Sequence, residues 1–288
     1  MRDESTTLRH VRKPRRVAGM AFAIFLAVAA AACGPQALSA TKPPAPAPPP
    51  PAVPPSGMNL VLSEDFNGAA IDTSRWDTCY PWADNAAGCT NFGNYELQWY
   101  VPSQVQVANG ILRLVASKTP TAGTTRTGQP QSYPWRSGMV TTNPSLNFTY
   151  GYVEIRARVP RGDGFWPALW MLPTSMEHPP EIDFLEAWGD NTFETMLNFH
   201  PVPSGQHQQM HTSAVDLSLA FHTYSVHWAP GSIKWYIDGA LVHSYTGTDV
   251  PNEPMYVLAV LAVSGDYPPT LSTPSPASLD LDWVRVYQ

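Results

Sequence analysis

The sequence predicts an all-β domain of two antiparallel sheets packed face to face. Three observations lead there: many short segments alternate apolar and polar residues with period two, helical periodicity is almost absent, and turn-forming residues separate the segments throughout. The clearest alternation sets apolar Val153, Ile155, Ala157 and Val159 against charged Glu154, Arg156 and Arg158, which describes a strand with one buried face. Further strands are predicted at Ile111–Ala116, Phe221–Trp228, Ile233–Ile237, Leu241–Tyr245, Met255–Val263 and Leu279–Tyr287. Asp238-Gly239, between two of these, marks a hairpin turn. Short strands without intervening helices argue against a parallel α/β sheet, and no repeat at a propeller or solenoid period is present.

The amino terminus reads as an address followed by a tether. Arg9, Arg12, Lys13, Arg15 and Arg16 precede sixteen apolar or small residues, Val17 to Ala32, which end at Cys33-Gly34. A membrane-spanning helix needs roughly 20 apolar residues, so residues 1–32 are expected to be a secretion signal of the lipoprotein type. Cys33 would then be the first mature residue and the lipidated one, although Ala30 stands where such sites usually carry Leu. Nine of the thirteen residues from Pro43 to Pro55 are proline, a composition that extends as polyproline II and makes residues 33–57 a linker. Such a tract could also be a ligand for an aromatic-grooved module. Residues 58–288 remain as one domain.

Composition narrows the function. With 43% apolar and 14% charged residues, wholesale disorder is excluded. Residues 1–32 hold six of the 17 basic and two of the 23 acidic side chains, so the rest carries 11 against 21, a balance of −10. That argues against a nucleic-acid partner, which needs a basic face. Cys79 and Cys89 lie close together in a loop-like segment and leave Cys33 unpaired; they form either a disulfide, which export would permit, or two buried thiols.

The chemistry concentrates in Glu181-Ile182-Asp183-Phe184-Leu185-Glu186, three carboxylates among apolar neighbours. On a regular strand Glu181 and Asp183 share a face while Glu186 points to the other side. A β-bulge near Phe184-Leu185 restores the phase and brings all three to one cleft. Two carboxyl groups on one wall are what glycoside hydrolysis requires, one to attack the anomeric carbon or activate water, the other to protonate the departing oxygen. Four strand steps place the two glutamate backbones about 13 Å apart, a gap that side chains leaning together can narrow, which favours retention of configuration. Asp183 between them would hydrogen-bond the nucleophile and help keep the acid protonated. The alternatives are a surface acid cluster or a Ca²⁺ site. Just upstream, Trp166 and Trp170 share a strand face and would offer flat platforms to sugar rings, or would pack in the core.

These residues resemble glycoside hydrolase family 16, in the laminarinase-like branch with the bulged Glu-x-Asp-x-x-Glu signature. The resemblance runs through Glu64-Asp65-Phe66-Asn67, Asn94-Tyr95-Glu96-Leu97-Gln98, Tyr150 to Arg158, Trp166 to Trp170, Trp235 to Gly239 and Asp282 to Tyr287. It implies a β-jelly-roll with a concave cleft, Glu181 as nucleophile, Glu186 as general acid/base and Asp183 as their assistant. It further implies Trp166 and Trp170 around the sugar at the cleaved bond, Asn94 on a sugar toward the non-reducing end, and His200 near the leaving group. His200 could equally be a satisfied histidine at a strand end. A structural Ca²⁺ held by Glu64, the Gly110 carbonyl and Asp282 is implied as well, with no cofactor for catalysis. The chain departs from the family pattern at Val260-Leu261-Ala262-Val263-Ser264-Gly265 and at Met139.

The expected protein is therefore an exported, endo-acting, retaining β-glucanase, monomeric, held at the cell surface by lipid or secreted, with β-1,3-glucan as partner and no other membrane contact. The rivals are a transglycosylase, a mixed-linkage glucan or galactan hydrolase of the same fold, and a lectin-like carbohydrate-binding surface protein. No nucleotide-binding glycine loop, zinc-ligand spacing or Ser/His/Asp motif stands out.

Overall fold

Period-two alternation separated by turns resolves, in the computed structural model, into eighteen strands over the described residues, 54–83, 89, 93–125, 127–203 and 205–288. The expected secretion signal, Cys33 and most of the proline-rich stretch lie outside the described residues. The first strands are β1 (Leu60–Glu64), β2 (Gln98–Tyr100), β3 (Val105–Ala108), β4 (Ile111–Ala116), β5 (Thr121–Thr124) and β6 (Pro130–Tyr133). Next come β7 (Trp135–Ser137), β8 (Met139–Thr141), β9 (Gly151–Arg158), β10 (Phe165–Pro173), β11 (Glu181–Trp188) and β12 (Asn191–His200). The last are β13 (His207–Thr212), β14 (His222–Ala229), β15 (Ser232–Ile237), β16 (Ala240–Thr246), β17 (Met255–Val263) and β18 (Ala277–Tyr287).

Two antiparallel sheets stack as the expected jelly-roll sandwich. The back sheet runs β16-β15-β14-β9-β18-β4-β3, with β1 also paired to β18, and the cleft sheet runs β13-β12-β11-β10-β17-β8. Every strand named from the alternation is present. The Asp238-Gly239 turn joins β15 to β16 with both residues at positive φ, 49° and 77°, the backbone that a two-residue hairpin needs.

The core fills the space between the sheets. Val153, Ile155 and Ala157 of β9 meet Ile182, Phe184, Leu185 and Ala187 of β11 and Val257, Ala259 and Leu261 of β17 in one cluster. A second cluster lies on the opposite face of the cleft sheet, where Tyr256, Leu258 and Val260 pack with Tyr80, Tyr100, Trp170 and a Cys79–Cys89 disulfide whose Cα atoms are 5.3 Å apart. β17 is thus buried on both sides, which is why Met255–Val263 is apolar without alternation.

Close backbone approach locks the strand that carries the acids. A Cβ on Gly189, at the end of β11, would sit 2.3 Å from the Gly162 carbonyl oxygen. Only glycine lets the Gly162 amide donate to the Gly189 carbonyl and the Gly189 amide donate to Phe165. Phe184→Ala, which empties a fully buried site between the sheets, is expected to cost about 3–5 kcal/mol. Leu271→Ser, at a fully exposed loop position, should stay within about 0.5 kcal/mol. Urea unfolding of both variants measures the contrast.

Candidate active site

Up to Asp183, β11 alternates, with Ile182 in the core between Glu181 and Asp183. Phe184 and Leu185 then break the period, because both are fully buried between the sheets. Both flanking ladders record the extra residue. Against β10, Leu185 pairs with Leu169 while the next pair is Asp183 with Trp170. Against β12, Asp183 pairs with Asn198 and Glu186 with Met196, three steps on one strand against two on the other. This β-bulge places Glu181, Asp183 and Glu186 opposite His200, Asn198 and Met196, alternate residues of β12, so the three acids form one row.

The row lines an open cleft together with Tyr80, Asn94, Glu96, Trp166 and Trp170, over Ala168, Val260 and Ala262. The segment carrying Asn94 and Glu96 is pinned to the end of β17. The Leu97 amide donates to the Val263 carbonyl, Gln98 accepts from the Val263 amide at 2.7 Å, and its Nε2 donates to Glu96 at 2.6 Å.

Glu186 is held at both oxygens. Trp166 Nε1 donates to Oε1 at 2.8 Å, and Asn198 Nδ2 donates to Oε2. Burial, then the charge of Glu181, raises its pKa to about 7 against these two donors. Asp183 is 4% exposed, and its Oδ2 has no hydrogen-bond partner. Burial first, then the charges of Glu181 and Glu186, pushes its carboxyl well above the ordinary range. Glu181 stands between two imidazoles: His178 Nε2 lies 2.7 Å from Oε2, and His200 Nε2 lies 3.5 Å from Oε1. His200 is also 3.6 Å from Asp183 Oδ2, and its pKa is lowered, chiefly by burial.

The two tryptophans divide. Trp166 lies along the cleft and stacks on Trp188 with ring centroids 4.9 Å apart, and Trp188 in turn meets Tyr267 at 5.1 Å. Trp170 reaches the cleft floor but is only 6% exposed, edge-on to Tyr80 within the second cluster. It thus contributes both to the cleft lining and to the second cluster. Asn94 lines the cleft as expected. His200 stands beside Glu181 and Asp183, at the opposite end of the row from Glu186.

Two of the positions expected to hold a calcium ion are engaged by groups of the chain itself. Glu64 pairs with Arg75 at 3.2 Å and accepts from the Phe66 amide at 2.9 Å, and Asp282 pairs with Arg156. Both carboxylates thus face cations of the chain itself.

Asn198, His178 and Trp188 escape the sequence reading. Asn198 is signalled only by its register: a buried amide two residues before His200, opposite an acid. His178 comes from the loop before β11, and Trp188 is the next cleft-facing position after Glu186 once the bulge is in place.

Comparison with known proteins places these features in a family. The pattern of the family described as "Glycosyl hydrolases family 16" matches residues 91–285. The chain is 34% identical to the endo-1,3-1,4-beta-glycanase EglC of Rhizobium meliloti (strain 1021), with 81% of the chain and 52% of that protein covered. It is also 34% identical to the glucan endo-1,3-beta-glucosidase A1 of Niallia circulans, over 81% of the chain and 38% of that protein. The chain thus spans about half or less of the length of these curated relatives. Among solved structures, the catalytic domain of an endo-1,3-beta-glucanase (laminarinase) from Thermotoga petrophila RKU-1 superposes with a TM-score of 0.69 at 30% identity, covering 80% of this chain and 98% of that one.

Removing the charge of Glu181 favours ionisation of its neighbour. Glu181→Gln is expected to lower the Glu186 pKa below about 7. Carboxyl ¹³C NMR titration reads the midpoint, and an unshifted value would mean that burial alone sets it.

Proposed function

The chain belongs to glycosyl hydrolases family 16, and on that premise we propose that it is an endo-acting hydrolase of β-1,3-glucan that retains anomeric configuration. The observation that carries the reading is the acid row facing one cleft, with Glu186 raised to about 7 and so able to hold a proton near neutrality.

In the proposed reaction Glu181 attacks the anomeric carbon and forms a glycosyl ester. Glu186 gives its proton to the departing glycosidic oxygen as the bond breaks. Water then attacks the ester, and Glu186, now a carboxylate, takes the water's proton, which regenerates both groups. Trp166 and Asn198 hold the two oxygens of Glu186 toward the bond being cleaved. Asp183, kept protonated by burial, can donate to Glu181 in the resting state. Trp166, backed by Trp188, supplies an apolar wall for a sugar face, and Asn94 supplies a polar contact farther along.

The substrate rests on what the relatives are named for, 1,3-β-glucans in N. circulans and T. petrophila. A second reading, mixed-linkage glucan, is favoured by the 1,3-1,4 specificity in the name of the R. meliloti relative. Export is supported by the basic stretch ahead of Val17–Ala32 and by the Cys79–Cys89 disulfide, which persists in oxidising compartments. Lipidation at Cys33 would tether the domain through the proline-rich linker.

Glu181→Gln and Glu186→Gln should each lower laminarin hydrolysis by about 10²–10⁴-fold while the melting temperature stays near that of the parent. Proton NMR of the first products should give the β-anomer before mutarotation. An α-anomer appearing first overturns double displacement, and faster turnover of mixed-linkage glucan than of laminarin replaces the substrate.

A further inference from the structure

Two histidines and two carboxylates converge at one end of the acid row, and we propose that a borderline transition-metal ion, with zinc(II) as the reference, binds among Glu181, Asp183, His200 and His178 and holds the cleft inactive. One donor atom each from Glu181, Asp183 and His200 lies within 4.8 Å of the other two. His200 Nε2 is 3.5 Å from Glu181 Oε1 and 3.6 Å from Asp183 Oδ2. These separations exceed good hydrogen bonds. They match the spacing of ligands that share a tetrahedral ion, about 3.4 Å for bonds of about 2.0–2.1 Å.

A second observation points to a ligand independently of that spacing. Asp183 is 96% buried by its 4% exposure, and its Oδ2 makes no hydrogen bond although it faces the gap beside His200. A buried acceptor left without a donor is costly, and a cation in the gap would satisfy it. His178 stands outside that set of three, against Glu181 on the solvent side, and would serve as fourth donor by turning its ring toward the gap. Its Nε2 already touches Glu181 Oε2 at 2.7 Å, its ring centroid is 6.0 Å from that of His200, and its side chain is 43% exposed, which leaves a route of entry.

The donor set selects the metal. Two imidazoles with two carboxylate oxygens suit zinc(II), copper(II) or cobalt(II), whereas calcium and magnesium demand six or more oxygens. Bound there, the ion takes lone pairs of Glu181, so a sugar and the metal exclude each other. This inhibitory consequence rests on the proposed role of Glu181; the binding does not.

Calorimetric titration of the full chain with zinc is expected to show one equivalent taken up and released to EDTA, with no uptake of magnesium. Cobalt(II) at the same site should give visible absorption bands that zinc abolishes. His200→Gln and His178→Gln should each weaken zinc by about tenfold or more, while the doubly changed His207→Gln/His211→Gln chain keeps the parent affinity. Laminarin hydrolysis should fall with zinc occupancy and return with EDTA. Absence of uptake at millimolar zinc, or equal uptake by the His200→Gln chain, overturns the site. Stoichiometric zinc with full hydrolysis overturns the inhibition. A zinc-free chain inactive on every β-glucan overturns the proposed hydrolase instead, and the titration then still decides the metal site.

Discussion

Two neighbouring side chains of one strand, Phe184 and Leu185, are both sunk between the sheets, and the whole cleft depends on that departure from alternation. Strict alternation would drive Glu186 into the layer that holds Ile182 and Ala187. An ionised carboxylate there, without a partner, costs several kcal/mol at least. The bulge costs a local break in two ladders and buries one more large apolar side chain. Hydrophobic burial and carboxylate solvation therefore favour the same register, and the catalytic arrangement follows from folding energetics without any strain reserved for it.

The row so formed is electrostatically uneven. Histidines gather at the Glu181 end, while Glu186 is met by an indole and an amide, and Asp183 Oδ2 has no hydrogen-bond partner. Burial and mutual repulsion raise the carboxyl groups of Asp183 and Glu186. Protons are accordingly held most readily on these two groups. A pair of glutamates in one cleft can hold opposite protonation states only when their surroundings differ in this way.

Much of this was legible in the sequence. The strands followed from alternation, the Asp238-Gly239 turn from residues that tolerate positive φ, and the bulge from simple parity: three acids in six residues cannot share a face without one extra step. What stayed hidden depends on neighbours remote in the chain. Asn198 acts on Glu186 because β12 lies in register beside β11, and no local pattern encodes that pairing. Trp170 reads as a second platform from its spacing to Trp166; its edge contact with Tyr80, ninety residues away, leaves only 6% of it exposed at the cleft. Asp282 carries the right chemistry for a hard cation, and its pairing with Arg156, 126 residues away in the chain, is likewise invisible to local pattern.

The way Trp166 is tethered adds a constraint that neither the acids nor the aromatic wall would impose alone. Its indole N–H bonds Glu186 while its ring is backed by Trp188, so the proposed platform and the proposed proton donor move as one body. β10 is paired along its length with β17, which is buried on both faces, so that body rests on one of the least yielding strands of the fold. In the proposed reaction a sugar pressed against the indole would meet a donor already aimed, with little conformational entropy left to lose when the bond is protonated. Loosening either attachment would degrade proton transfer before it degraded binding, because the wall can shift by a fraction of an ångström and still cover a sugar face, whereas a hydrogen bond to the departing oxygen cannot.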